Sequence, residues 1–87
     1  MKLTLFQTAD NLDPADLADN PMQSLTAYVT EVSACIRQIY PGIEIEHVNS
    51  DSQHSWRLDS DLDDQSHEEA TIQSITEAVY EVGNFWA

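Results

Sequence analysis

Basic residues are the scarcest charged class in this sequence. The sequence contains three basic residues, Lys2, Arg37 and Arg57, and sixteen Asp and Glu residues, which gives a formal net charge of -13. A chain this acidic is repelled by nucleic-acid phosphates and by anionic lipids, so we expect no direct nucleic-acid binding and no membrane association. Repulsion among the carboxylates lowers the stability of the folded state, so we expect the acidity to serve a function. The charge favours a basic protein surface as the partner.

Cysteine and long apolar runs are also nearly missing. Cys35 stands alone, which excludes an internal disulfide and favours a cytoplasmic location. No apolar run approaches the roughly 20 residues that cross a bilayer. The first residues carry one Lys and a short apolar stretch that soon meets Asp10, so we do not expect a secretory signal.

The apolar content predicts a folded protein rather than a disordered acidic tail. Of the 87 residues, 41% are hydrophobic, and two Trp, three Tyr and two Phe are among them. This length suits one domain with a modest core, so we expect residues 1–87 to form a single domain.

The first quarter of the chain predicts a strand and then a polar connection. Residues 2–8 alternate, with Leu3 and Leu5 on one face. In the connection that follows, Asp13 before Pro14 is typical of a helix N-cap, so we expect a short helical turn there.

The clearest pattern lies between Asn20-Pro21 and Pro41-Gly42. Asn20 and Pro21 are a helix start signal, and Pro41 cannot continue a helix. Between these limits the apolar residues fall on one helical stripe, formed by Met22, Leu25, Tyr28, Val29, Val32, Cys35, Ile36 and Ile39.

The second half predicts two strands and a helix. Residues 42–48 and 55–59 alternate as strands, with Ile43, Ile45 and His47 on one face of the first and Trp56 and Leu58 facing inward on the second. A polar turn over residues 49–54 suggests that they form an antiparallel hairpin. A Ser66-to-Glu69 capping box then begins a helix with Ile72, Ile75, Val79, Val82 and Trp86 on one stripe, which Gly83 ends or frays.

The order strand, helix, strand, strand, helix predicts an α+β fold. We expect a two-layer sandwich, in which a small antiparallel or mixed three-stranded sheet has both helices on one face. The opposite sheet face would carry Glu44 and Glu46 beside Lys2 and Arg57.

The stretch DSDLDDQSHEE, residues 59–69, holds six carboxylates, and its first residues resemble a calcium loop. Asp59, Asp61 and Asp63 occupy the first, third and fifth positions of an EF-hand. The required Gly and bidentate Glu are replaced by Asp64 and Ala70, so no calcium site is expected.

Neither a transition-metal site nor an enzyme is predicted. His47, His54 and His67 are scattered, and we expect His47 to be a hydrogen-bonded core residue and the other two to be solvated. The acids lie in polar loops without a dry pocket to separate their pKa values, and there is no glycine-rich phosphate loop. We therefore expect no metal, no cofactor and no catalytic residue.

Three interpretations of the acidity remain. In the first, the acids form a solvated face that serves solubility or growth at high salt. In the second, the acids imitate nucleic acid, because carboxylates on an extended run and on a helix can be spaced at roughly 6–7 Å. A basic groove would then accept Arg–carboxylate pairs in place of Arg–phosphate pairs. In the third, the protein covers the basic surface of a toxin nuclease.

The stretches DNLDPADLADN and DSDLDDQSHEE, together with size, charge and element order, resemble the small phage-borne anti-CRISPR proteins. The resemblance implies an inhibitor in the host bacterial cytoplasm that presents carboxylates to the nucleic-acid-binding surface of a CRISPR effector. The alternative is an immunity or antitoxin protein. Colicin nuclease immunity proteins are all-helical, whereas barstar-like inhibitors are α/β and fit the predicted elements better.

The candidate partner-binding residues form two sets. The first comprises Asp59, Asp61, Asp63, Asp64, Glu68, Glu69, Glu77 and Glu81. The second comprises Asp10, Asp13, Asp16 and Asp19, which recur at a spacing of three.

Overall fold

The computed structural model describes residues 1–13, 18–50 and 55–86. Within them the elements follow in the order β1 (Lys2–Phe6), α1 (Ala9–Leu12), α2 (Pro21–Ile39), β2 (Glu44–Val48), β3 (Trp56–Asp59) and α3 (Ser66–Val82). The predicted α+β class and element order are confirmed, with α1 as an additional short helix. Among the described helices, none has the length and apolar content needed to cross a membrane.

The sheet has the strand order β2-β1-β3, so β1 is central. Leu3 of β1 lies opposite Ile45 in a parallel pairing with β2 and opposite Leu58 in an antiparallel pairing with β3. The predicted hairpin between β2 and β3 is therefore wrong. The connection from Val48 to Trp56 is longer than ordinary hairpin loops of two to five residues. Strand β1, which has the most buried side chains, instead lies in the centre of the sheet and pairs with both other strands.

One face of the sheet contributes to the core. Leu3, Leu5 and Leu58 are buried, whereas Glu46 and Arg57 on the opposite face are exposed. The sheet leucines share one cluster with the buried apolar side chains of the helices and the C-terminal segment, Leu12, Leu25, Tyr28, Val32, Ile36, Ile72, Val79 and Phe85. This arrangement is the predicted two-layer sandwich.

Helix α2 begins and ends where the sequence predicts. The Asn20 side chain accepts a hydrogen bond from the Gln23 N–H at 3.1 Å, and Pro21 is the first helical residue. The predicted stripe is buried or half-buried in its middle, but Met22 and Ile39 at its ends are exposed. A helix of 19 residues is about 28 Å long and strands of four or five residues span about 13–17 Å, so the helix ends extend beyond the sheet.

The short helix α1 starts earlier than predicted. Thr8 is its N-cap and exchanges hydrogen bonds with Asn11, so these two residues form the capping box. Asp13, predicted to begin a helix, instead follows the end of this one. The predicted first strand ends correspondingly early, at Phe6 rather than Thr8.

Helix α3 ends at Val82, and Gly83, which follows it, has a φ of 70°. In this left-handed conformation the Gly83 N–H bonds to the Val79 carbonyl at 3.2 Å, and the chain turns back. Phe85 is thereby buried edge-on against Tyr28, with ring centroids 5.0 Å apart. Val82 and Trp86, predicted to be on the buried stripe, are exposed because they lie at and beyond the end of the helix.

Candidate functional site

The loop between β3 and α3, residues 60–65, is called the acidic loop below. Gln65 holds it in place: its side-chain amide donates to the Leu58 carbonyl at 2.8 Å and accepts from the Ser60 hydroxyl at 2.8 Å. With the base of the loop attached to the end of β3, Asp61 and Asp63 are exposed on either side of Leu62, which is also exposed. The chain bends at both Asp61 and Asp63, so these acids do not continue the strand as an extended run.

Asp59 belongs to the sheet rather than to the acidic loop. It is the last residue of β3, and its Oδ2 pairs with Arg57 Nε at 3.2 Å. Both side chains are exposed, so the pair adds little stability. It nevertheless places a positive charge beside Asp59, which makes this acid a weaker candidate for binding a basic partner.

Asp64 and Ser66 form the start of α3 in place of the predicted capping box. The Oδ1 atom of Asp64 accepts hydrogen bonds from the Ser66 hydroxyl at 2.6 Å and from the Ser66 N–H at 3.0 Å. Gln65 occupies the N-cap position without a side-chain cap, so the predicted pairing of Ser66 with Glu69 is wrong. The two bonds from Ser66, the hydroxyl bond first, hold the pKa of the Asp64 carboxyl below its ordinary value.

Glu68 faces partly inward. Its side chain is half-buried, and its Oε2 atom is sealed from solvent without a hydrogen-bond partner among the described residues. This acid therefore contributes less to the outer surface than the sequence suggests.

The remaining acids of the first set lie in a row on α3. Glu69, Gln73, Glu77 and Glu81 are four residues apart, so they follow one side of the helix at steps of about 6 Å. All four are exposed. Gln73 donates to Glu77 Oε1 at 2.7 Å and accepts from the Trp56 indole N–H at 3.3 Å, so contacts from β3 and α3 orient Glu77. These four residues are called the α3 row.

The described members of the second candidate set are not all exposed. Asp13 is buried, and its Oδ2 accepts a hydrogen bond from the Ala18 N–H at 2.8 Å, so it has a structural role. Asp10 and Asp19 are exposed, the first in α1 and the second shortly before α2. Asp16 lies outside the described residues.

The basic residues are concentrated away from the α3 row. Lys2 Nζ pairs with Glu46 at 2.9 Å on the outer sheet face, and this hydrogen bond raises the pKa of the lysine. Arg57 lies on the same face and pairs with Asp59. Arg37 is in the last turn of α2. No Lys or Arg follows Arg57 in the sequence, so the acidic loop and α3 carry no basic side chain of their own.

A polar groove runs beside the α3 row, between this helix, α1 and the end of β1. Its walls include Gln7, Tyr28, Gln73, Glu77, Tyr80 and Glu81. The sequence-based set contained the two glutamates but missed Gln7 and Tyr80. The signal for Gln7 was present, since it continues the alternation of Leu3 and Leu5 and so places a polar side chain on the core-facing side of the sheet.

The described residues contain no group of three or more His, Cys, Asp or Glu side chains that could hold a metal ion. His47 is exposed rather than in the core, although its Nε2 lies 2.9 Å from the Gln7 carbonyl oxygen, as a hydrogen bond requires. His67 is exposed at the start of α3, and His54 lies outside the described residues.

No protein-family model, curated protein or solved structure matches this chain. The interpretation of the surface therefore depends on its own geometry and charge.

Proposed function

We propose that this protein inhibits a nucleic-acid-binding protein by covering the basic surface that would otherwise hold nucleic acid. The leading instance is an anti-CRISPR protein acting on a CRISPR effector in a host bacterial cytoplasm. It acts as a binding protein without catalysis or cofactor. Its partner-binding residues are the exposed acids Asp61, Asp63, Glu69, Glu77 and Glu81.

The observation that carries this proposal is the separation of charge. Two of the three basic residues pair with acids on the outer sheet face. The five acids proposed to bind the partner all follow Arg57, the last Lys or Arg of the sequence, in the acidic loop and on α3. A surface with one sign of charge attracts partners of the other sign and steers their approach, which favours a basic protein groove.

The resemblance to nucleic acid concerns the sign of the charge more than its spacing. Glu69, Glu77 and Glu81 span about 18 Å along α3, or one carboxylate per 9 Å on average. A DNA strand carries a phosphate about every 3.4 Å along the axis, so this row is sparser. The acidic loop adds Asp61 and Asp63 at the N-terminal end of the helix. Arg–carboxylate pairs in the partner's groove would replace only some of its Arg–phosphate pairs.

Two other functions share the same chemistry. The first is an immunity or antitoxin protein that neutralises a toxin nuclease, which would also present a basic groove. The second is an acidic protein with an unrelated interaction, in which the acids mainly confer solubility.

The test begins with a pull-down from host lysate at low and high salt, followed by mass spectrometry. We expect a basic nucleic-acid-binding protein that is retained at low salt and lost at high salt, since screening shortens the attraction to a Debye length of about 8 Å at 0.15 M. Nucleic acid should compete with this protein for the target, and the protein alone should bind no DNA.

A charge-matched pair of variants then tests the surface. Neutralising the five acids proposed to bind the partner, to Asn or Gln, should abolish inhibition while the fold persists. The control neutralises five acids elsewhere, Asp10, Asp19, Glu31, Glu44 and Glu46, and should retain most of the inhibition. If both variants lose inhibition equally, total charge rather than this surface is responsible. If neither does, the acids form a solvated face.

A further inference from the structure

The polar groove contains a side chain whose hydrogen-bonding capacity is not used. Gln7 is 8% exposed, and its backbone N–H and C=O contact Val48 and His47. Its side-chain amide has no hydrogen-bond partner among the described residues, yet it is not sealed within the core. A ligand that enters the groove and donates a hydrogen bond to the Gln7 amide oxygen would supply the partner that the protein itself does not.

Two carboxylates stand at the rim of the same groove. Glu77 and Glu81 are four residues apart on α3 and both are exposed. Gln73 already donates to Glu77 Oε1, which orients this carboxylate. With two acids at the rim and an amide oxygen deeper in the groove, the site offers acceptors to a cationic donor and repels an anion.

Tyr80 gives the groove an aromatic wall. Its hydroxyl donates to the Leu12 carbonyl of α1 at 3.4 Å, and its ring contacts those of Phe85 and Trp86, each at a centroid distance of 6.1 Å. These contacts hold the ring from both ends while 45% of the residue remains exposed. Tyr80 lines the same groove as Glu77 and Glu81. A ring and two carboxylates in one groove favour a flat cation, because a guanidinium can stack on a ring and bind a carboxylate at the same time.

We infer that this groove binds an arginine side chain of the basic partner. Glu77 and Glu81 receive the guanidinium N–H groups, Tyr80 stacks against its plane, and the Gln7 amide oxygen accepts a further N–H. Lysine fits less well, since its ammonium is a compact point charge that does not stack as a plane. This inference rests on the proposed function for the class of partner, and it adds a residue-specific site within the acidic surface.

The experiment compares hexa-arginine and hexa-lysine peptides, which carry the same charge, by calorimetry and by amide chemical shifts. At about 10 mM salt, where the Debye length is about 30 Å, both peptides should bind the full-length protein. Hexa-arginine should bind about tenfold more tightly, and it should shift the Gln7 and Gln73 side-chain amides and the Tyr80 resonances.

Two double variants with the same change of charge test whether the preference for arginine arises in the groove or in the acidic loop. Replacing Glu77→Gln and Glu81→Gln should remove the preference for arginine. Replacing Asp61→Asn and Asp63→Asn should weaken both peptides by a similar factor and leave the preference intact. Gln7→Met, which keeps the charge and approximate size, should reduce the preference severalfold, provided that circular dichroism shows an unchanged fold.

The outcomes separate this inference from the proposed function. If the wild-type protein binds both peptides equally, or if both double variants preserve the preference, the arginine groove is wrong while binding of a basic partner stands. If it binds neither peptide, the proposed class of partner and the groove both fail.

Discussion

The carboxylate of Asp13 accepts a hydrogen bond from the backbone N–H of Ala18, across 2.8 Å, and the Asp13 side chain is buried. One member of the four-aspartate series thus ties the end of α1 to Ala18. We expect Asp13→Ala to lower the free energy of unfolding by about 1–3 kcal/mol, because it leaves the Ala18 N–H without this acceptor.

Asp10→Ala and Asp19→Ala provide the comparison for this prediction. Both acids are exposed, and each substitution also removes one negative charge, so their effects should stay within about 0.5 kcal/mol. Urea denaturation measures all three variants. Equal stability of the Asp13 and Asp10 variants would contradict the structural role of Asp13.

Alanine substitutions at two neighbouring positions of the apolar stripe of α3 should lower the stability of the protein by different amounts. Ile72 has no exposed surface, whereas Ile75 is half-buried. Ile72→Ala should cost about 2–5 kcal/mol through lost burial and the cavity left behind, and Ile75→Ala should cost clearly less. Val32→Ala in α2, where the side chain is fully buried, should also be destabilising. A larger loss for Ile75→Ala in urea denaturation would show that α3 is rotated differently.

The bond from Ser66 to Asp64 should make stability depend on pH. Because the pKa of Asp64 is lower in the folded state, ionised Asp64 contributes stability above its ordinary pKa, and this contribution is lost as pH falls through the lowered value. Asp64→Asn keeps a side-chain oxygen acceptor but removes the charge. At neutral pH this variant should therefore be less stable than Asp63→Asn, which removes the same charge one residue away.

The difference between these two variants should disappear in acid, where Asp64 of the Asp63→Asn protein becomes protonated. Urea midpoints measured from neutral pH to below the lowered pKa check the prediction. A constant difference over the whole range would mean that the charge of Asp64 does not contribute through Ser66.

Calcium at millimolar concentration should shift the melting temperature little. The spacing of Asp59, Asp61 and Asp63 suggests a calcium loop, but Asp59 pairs with Arg57 and the places of the essential Gly and Glu hold Asp64 and Ala70. Magnesium at the same concentration is the control for general screening of the acids. Stoichiometric binding of calcium at micromolar concentration in calorimetry would contradict this expectation.

Local chemistry explains which parts of the fold could be predicted from the sequence. Helix α2 was bounded correctly because its start and stop signals, Asn20-Pro21 and Pro41-Gly42, lie within a few residues of the bonds that they affect. The capping of α3 was predicted wrongly for an equally local reason, since Asp64 rather than Glu69 is the partner of Ser66. Two capping patterns in adjacent residues cannot be ranked without the geometry.

The candidate site was predicted only in part. The exposed acids Asp61, Asp63, Glu69, Glu77 and Glu81 were all in the sequence-based set. That set could not distinguish them from Asp13, which is buried, or Asp59, which is paired with Arg57. The sequence shows that an acidic residue is charged, whereas its ability to bind a partner depends on whether the fold buries it or pairs it with another group.

The sequence alone determined the amphipathic helices, the excess of negative charge and the lack of basic residues after Arg57, because these follow from composition and short-range periodicity. Only the tertiary structure decided that β1 lies between β2 and β3, and that Gln7 meets Tyr80 and Glu81 of α3 in one groove. The physical reason is that helical hydrogen bonds join residues four apart, whereas strand pairing joins distant segments whose choice of partner depends on burial over the whole chain.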